Sequence, residues 1–162
     1  MLIKNQKILS TTQIRQKALK LLAQREHSKY QLLNKLSLFA NSDDIKLIID
    51  QLAEEDWQSD RRYALARVEY LKKKFGRQKI INDLKISGID QQLINEYVIE
   101  NPEFFDQAEI KRGKIILTKK FKSSLSTESG NIFNRKKLKK IHFLQSRGFS
   151  SANIKHALEL DE

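Results

Sequence analysis

The sequence predicts an all-α protein, an elongated array of three tandem three-helix repeats. Internal recurrence is the first reason. Ser28-Lys-Tyr-Gln-Leu-Leu-Asn-Lys-Leu36 is echoed 48 positions later by Gly76-Arg-Gln-Lys-Ile-Ile-Asn-Asp-Leu84, and the same shift carries Ala18 to Ala66, Leu22 to Tyr70, Ile45 to Leu93 and Ile49 to Tyr97. A third copy follows at a shift of 60: Ser87-Gly-Ile-Asp90 returns as Arg147-Gly-Phe-Ser150, and Ile81, Leu84, Ile94 and Val98 as Ile141, Leu144, Ile154 and Leu158. Apolar spacing is the second reason, because each copy follows the helical period. Sparse punctuation is the third: one proline and five glycines, of which Gly76, Gly88 and Gly148 fall at helix junctions. Stacked helical units have this signature, and a row of them suits lying along a partner better than enclosing a small substrate.

The first repeat, 12–55, is the best patterned. Ile14, Ala18, Leu21 and Leu22 predict a helix over 12–25, and Leu32, Leu33 and Leu36 a second over 28–39. Ser28 stands three residues before Gln31, a capping-box pattern in which each side chain can satisfy the other's backbone N–H. Ile45, Ile48, Ile49 and Leu52 make the third stripe, over 43–55, with Ser42, Asp43 and Asp44 placing acceptors and negative charge at its positive end. The second repeat, 60–100, holds helices over 60–74, 77–86 and 90–100, the last opened by Asp90. The third, 103–160, opens on Asn101-Pro102-Glu103, which combines an N-cap, a proline at the first helical position and a first-turn acid. Its helices span 103–121, 132–146 and 151–160. Lys114-Ile-Ile-Leu-Thr118 has strand character, but no second strand is present to pair with it, so a helix is expected. The Ser-rich run from Lys122 to Asn131 reads as a flexible linker at about 122–131.

Charge sets the function class. The 162 residues carry a net +11 with 40% hydrophobic residues, and the sequence pI is about 9.8, which calls for an anionic partner or an acidic protein face. The excess is uneven: +4 over residues 1–54, −1 over 55–106 and +8 over 107–162. Without cysteine there is neither a disulfide framework nor a thiolate metal site. Met1-Leu-Ile-Lys-Asn-Gln-Lys7 lacks the apolar core of a signal peptide, and no apolar run approaches the ~20 residues that span a bilayer. A soluble, cytoplasmic protein is expected, a monomer in the simplest case.

Two basic clusters are candidate binding residues. Lys72, Lys73 and Lys74 close one helix, where cations are favourable to the dipole and solvation alone accounts for them as well as a partner does. Arg77 and Lys79 open the next helix, where they oppose the dipole, and this favours an external anion. Arg135, Lys136, Lys137, Lys139 and Lys140, followed by Arg147, repel one another unless phosphate or an acidic surface neutralises them. Their spacing wraps around the helix and leaves Leu138, Ile141 and Leu144 for packing. Arg25-Glu-His-Ser28 reads as a helix exit and cap, since adjacent side chains face different ways. His142 and His156 have no zinc-ligand spacing, and there is no Gly-rich phosphate loop or nucleophile motif. No catalytic, metal or cofactor site is expected. Trp57, Tyr63 and Tyr70, around the first repeat junction, are expected mostly in the core, with Trp57 outside the repeat pattern and a candidate exposed anchor.

Ala18-Leu19, Leu22-Ala23, Arg25-Glu-His-Ser28, Leu32 and Lys35-Leu36 resemble the opening signature of the RecX family. Asp60-Arg-Arg-Tyr-Ala64 is similar to that family's step into its second repeat, Lys85-Ile-Ser-Gly-Ile89 to its Gly-Ile junction, and Arg147-Gly-Phe-Ser150 to its closing motif. The resemblance covers about residues 14–158 in the right order. Lys73-Lys74-Phe75-Gly76-Arg77 departs from the family's Lys-Gly-x-Gly-Pro run, keeping only Gly76 for the turn, and residues 107–131 match poorly. The resemblance implies a regulator of the RecA recombinase that binds in the groove of the RecA–DNA filament. It would inhibit ATPase and strand exchange, limit filament growth, and so act in homologous recombination, DNA repair and the SOS response. Its partners would be the RecA filament and single-stranded DNA, with double-stranded DNA a further possibility, and its mechanism binding rather than chemistry. The rival expectation is a basic helical nucleic-acid-binding module with no specific protein target.

Overall fold

The computed structural model describes residues 9–100, 102–121 and 130–159. Among the described residues the regular structure is all helical. The helices are α1 Thr11–Gln24, α2 Lys29–Leu36, α3 Ser42–Glu54, α4 Asp60–Leu71, α5 Arg77–Ile86, α6 Gln91–Ile94, α7 Pro102–Lys120, α8 Gly130–Gln145 and α9 Ser151–Glu159, and α6 runs on into a π-helical segment, Asn95–Ile99. Residues 114–118 lie inside α7, where Thr118 Oγ1 donates to the Lys114 carbonyl at 3.0 Å, so their β-branched character is overruled by the helix around them. Of the expected linker, residues 122–129 lie outside the described residues, and α8 begins at Gly130, before the expected 132. Asn101 also lies outside them.

Helix starts follow the chemistry of short polar side chains. Ser10 and Gln13 form the reciprocal capping box at α1. At α2, Ser28 Oγ accepts the Gln31 N–H at 3.1 Å, but Gln31 does not return the bond; its Nε2 donates to Tyr63 Oη at 2.7 Å. Asn41, one residue before the expected Ser42, caps α3 by accepting the Asp43 and Asp44 N–H groups at 3.1 and 2.9 Å. Asp90 caps α6 and Ser150 caps α9 in the same way. Such caps are each worth about 1 kcal/mol.

The chain forms two compact units: Met1–Arg67 with Leu84–Leu93, and Val68–Asp83 with Ile94–Glu162. The first is built on Ile14, Ala18, Leu32, Leu36, Ile45, Ile48, Ile49 and Leu52, all buried. These are the stripes of α1, α2 and α3, closed on one another. Segment 84–93 joins this unit through a polar seam. Ser28 Oγ donates to the Ser87 carbonyl at 2.6 Å, and Tyr63 Oη donates to Ser87 Oγ at 2.9 Å. Lys29 N–H donates to Asp60 Oδ1 at 2.8 Å, and Gln58 Nε2 donates to the His27 carbonyl at 3.2 Å. Tyr63 is therefore buried as expected, whereas Trp57 and Tyr70 are exposed.

The second unit is built on Leu117, Leu144, Phe149, Ile154 and Leu158, with Phe121 and Phe143 meeting edge to face at 5.7 Å. Its seam mirrors the first unit's. Gly76, which stands where Ser28 stands in the first repeat, donates its N–H to the carbonyl of Arg147, the counterpart of Ser87, at 2.9 Å. A Cβ on Gly76 would lie 2.4 Å from the Gly148 carbonyl oxygen. Gly76 is required by this close approach of two backbones rather than by a left-handed turn. Gly148 itself has φ +78°.

Candidate functional site

The basic junction grows out of the end of α4 and the start of α5. Lys72, Lys73 and Lys74 occupy the turn after Leu71, where the Lys74 and Phe75 N–H groups donate to the Leu71 carbonyl at 2.9 Å each. Lys72 is paired with Glu69 one turn back. Lys73 and Lys74 are exposed, and the Lys74 ammonium lies 5.5 Å from the Tyr70 ring centroid. Arg77, the first residue of α5, is engaged inward: its Nη2 meets Asp106 Oδ1 at 2.9 Å. Its opposition to the helix dipole is thus offset inside the protein. Lys79, two residues on, is exposed.

The first amides of α5 are also satisfied internally. Gly76 N–H donates to Arg147, Gln78 N–H to the Gly148 carbonyl at 3.2 Å, and Arg77 N–H to Glu109 Oε2 at 3.4 Å. Three successive amides at this helix start are thus turned to the protein rather than to an external anion. The cations of this junction act through their side chains.

Arg147 joins the two clusters. Its Nη1 donates to the Lys74 carbonyl at 3.2 Å. The guanidinium lies 4.6 Å from the Phe143 ring centroid and 5.8 Å from that of Phe75, distances of cation–π contact. It is half-buried and as much a strut as a binding group. Lys79 sits against the same turn, its backbone N 2.5 Å from where a Cβ on Gly148 would be. The Lys73–Lys74 turn and Lys79, near neighbours in sequence, therefore lie against the turn that carries the sequence-distant Arg147 in the second unit.

The second cluster rides on α8. Arg135 and Lys139 are exposed, while Lys136, Lys137 and Lys140 are partly buried. Leu144 is buried and Ile141 half-buried, as the stripe predicts, but Leu138 is 53% exposed, so the packing face is narrower than expected. Lys137 stands at the edge of an open groove of about 270 Å³ floored by Ile141, Ile154 and Leu158.

Beneath the junction lies a carboxylate that no sequence pattern singles out. Glu109 on α7 is fully buried. Burial pushes its pKa up, opposed by hydrogen bonds from the Arg77 and Ser150 backbones and by the charges of Arg77 and Arg112. Burial likewise pulls the Arg112 guanidinium down, against the attraction of Glu109 and Glu69. A polar residue in an interrupted apolar stripe is the only trace such a group leaves in a sequence. No cluster of three or more His, Cys, Asp or Glu able to hold a metal occurs among the described residues, and none of the described helices is long and apolar enough to cross a membrane.

Known proteins resemble this chain over nearly its whole length. A family model described as the second three-helix domain of RecX matches residues 59–98. The regulatory protein RecX of Acinetobacter baylyi is 34% identical over 153 residues, covering 93% of this chain and 89% of the relative. That of Herminiimonas arsenicoxydans is 30% identical over 150 residues, covering 92% and 93%. The crystal structure of RecX from Lactobacillus salivarius superposes with a TM-score of 0.73 over 93% of this chain and 96% of that one, at 24% identity. At that identity the likeness speaks for the helical repeat fold.

Proposed function

The chain belongs to the RecX family of regulatory proteins, and from that membership we propose that it inhibits the RecA recombinase by binding along the RecA–DNA filament. Binding carries the whole effect: contacts spread over several repeats hold the filament in one state and so modulate its ATPase, strand exchange and extension. Many modest contacts on one chain add up through high effective concentration. The relatives are named as regulators, in keeping with a protein that performs no chemistry of its own.

The observation that carries this reading is the contact of the Lys73–Lys74 turn and of Lys79 with the turn that carries Arg147. Exposed lysines beside a turn that ties the two basic clusters together are suited to the phosphates of filament DNA. The exposed Arg135 and Lys139 extend the same charge on α8.

The test is the ATPase activity of RecA on single-stranded DNA with increasing amounts of this protein. Inhibition that deepens as protein is added is expected. A basic module with no protein target would bind naked single-stranded DNA and RecA-coated DNA equally at matched salt, and that result would sink the filament reading.

A further inference from the structure

Three helices end alike, and one of them turns its last apolar residue outward. α3, α5 and α8 each close in a Schellman turn. In α5 the Gly88 and Ile89 N–H groups donate to the Lys85 and Leu84 carbonyls; in α8 Gly148 and Phe149 donate to Gln145 and Leu144; in α3 Asp56 and Trp57 donate to Ala53 and Leu52 at 3.1 and 2.8 Å. The residue after the turn normally folds back on its helix, and Ile89 and Phe149 do so, each only 5% exposed. Trp57, the single tryptophan of the chain, is 57% exposed.

The left-handed position differs as well. It is glycine in α5 and α8, but Asp56, at φ 60°, in α3. A side chain is disfavoured in that conformation, and here Arg62 holds it. Arg62 Nη1 donates to Asp56 Oδ1 at 2.6 Å, Nη2 to the Asp56 and Trp57 carbonyls at 2.8 and 3.2 Å, and Nε to Glu26 Oε1 at 2.9 Å. The turn that presents the tryptophan is fixed before any partner arrives.

We propose that Trp57 is a preformed anchor for a protein partner, entering an apolar pocket with a basic rim. Glu54, Glu55 and Asp56 precede it and are all exposed. Arg15 and Arg62 are engaged with Glu55 and Asp56. A phosphate backbone would meet carboxylates here, whereas a lysine- or arginine-rimmed pocket would be complementary. Tryptophan on a rigid support is the residue type that most often dominates a protein interface. The inference rests on the RecA-directed reading, in which the partner is the RecA protomer; it gives Trp57 to protein and the second unit's cations to DNA.

Because Trp57 is the sole tryptophan, fluorotryptophan incorporation yields one fluorine NMR resonance at the anchor. That resonance is expected to shift when RecA filaments on single-stranded DNA are added, and to stay in place with the DNA alone. Trp57→Ala is expected to weaken filament binding about ten-fold or more, with unchanged DNA affinity and melting temperature. Asp56→Gly keeps the tryptophan but frees the turn, and is expected to lose part of the filament affinity. A shift with DNA alone would place Trp57 on a base, and a shift that follows protein concentration would place it on a second copy. Either result, or full filament affinity in Trp57→Ala, overturns the assignment to RecA. Wild-type protein that ignores the filament overturns the RecA-directed reading, and this partner with it.

Discussion

At the scale of single residues, what the sequence hides is mostly distance and burial. Gly76, Gly88 and Gly148 look alike as junction glycines, yet the structure gives them different reasons. Gly148 combines φ +78° with the Lys79 backbone at 2.5 Å, while Gly113 has an ordinary backbone and only side chains, at 3.3 Å, near its missing Cβ. Gly148→Ala should therefore cost about 1–3 kcal/mol and lower the urea midpoint, through strain that nothing nearby can relieve. Gly113→Ala should cost less, or stabilise the helix through propensity. His27 was legible as a helix exit but not as a buried group. Its Nδ1–H donates to the Arg25 carbonyl at 2.9 Å. Burial, the largest influence, holds its pKa below 6.5, opposed by that hydrogen bond. The unfolded chain thus takes up the proton first as pH falls. The contribution of neutral His27 is fully present above pH 6.5 and is lost as pH falls from there through the lower folded value. Melting curves between pH 7.5 and pH 5.5, both ordinary assay values on either side of about 6.5, should show a steeper acid loss for wild type than for His27→Gln. Parallel losses would mean that His27 titrates normally.

Helices are the scale at which the sequence spoke most clearly. The stripes of α1 to α3 closed on one another as their spacing requires, and every expected helix in the described residues formed, the one over 90–100 partly as the π-helical segment Asn95–Ile99. Caps were read to within a residue, since Asn41 and Ser42 offer the same chemistry and only backbone geometry chooses between them. Side chains that leave their own helix were not legible. Gln31 gives up the capping box because its amide turns to Tyr63, 32 positions away, whose hydroxyl accepts from Nε2, and together with Ser28 and Ser87 they form a polar seam. Such a seam is invisible to periodicity, which records only apolar positions. Tyr63→Phe keeps the ring and removes the hydroxyl that accepts from Gln31 and donates to Ser87. The buried Ser87 Oγ and the Gln31 amide then lose their main side-chain partner, so a loss of about 1–2 kcal/mol is expected. Chemical denaturation measures it, and a double-mutant cycle with Ser87→Ala should show coupling between the two sites. Additive effects would mean that the hydroxyl is solvated rather than part of the seam.

For the whole molecule, net charge points to an anionic partner without sorting the cations by task. The sequence treats Lys73, Arg77 and Lys79 as one cluster, yet Arg77 is drawn inward to Asp106 while Lys73 and Lys79 remain at the surface. The difference turns on an acid 29 positions away, on α7, which no local pattern connects to α5. Counterion release separates the two kinds of cation experimentally. Each surface cation that neutralises a phosphate adds about 0.7 to the slope of log affinity against log salt for single-stranded DNA. Lys73→Gln with Lys79→Gln should therefore flatten that slope by about 1.4 and leave the melting temperature near the wild-type value. Arg77→Gln should do the reverse. It strips Asp106 of the Arg77 cation, with the Asn153 Nδ2 hydrogen bond at 3.0 Å still in place, and removes one of the charges facing buried Glu109. Its melting temperature should fall while its salt slope stays near the wild-type value. If Arg77→Gln instead flattens the slope and melts normally, then Arg77 faces DNA in the complex, and its ion pair with Asp106 opens on binding.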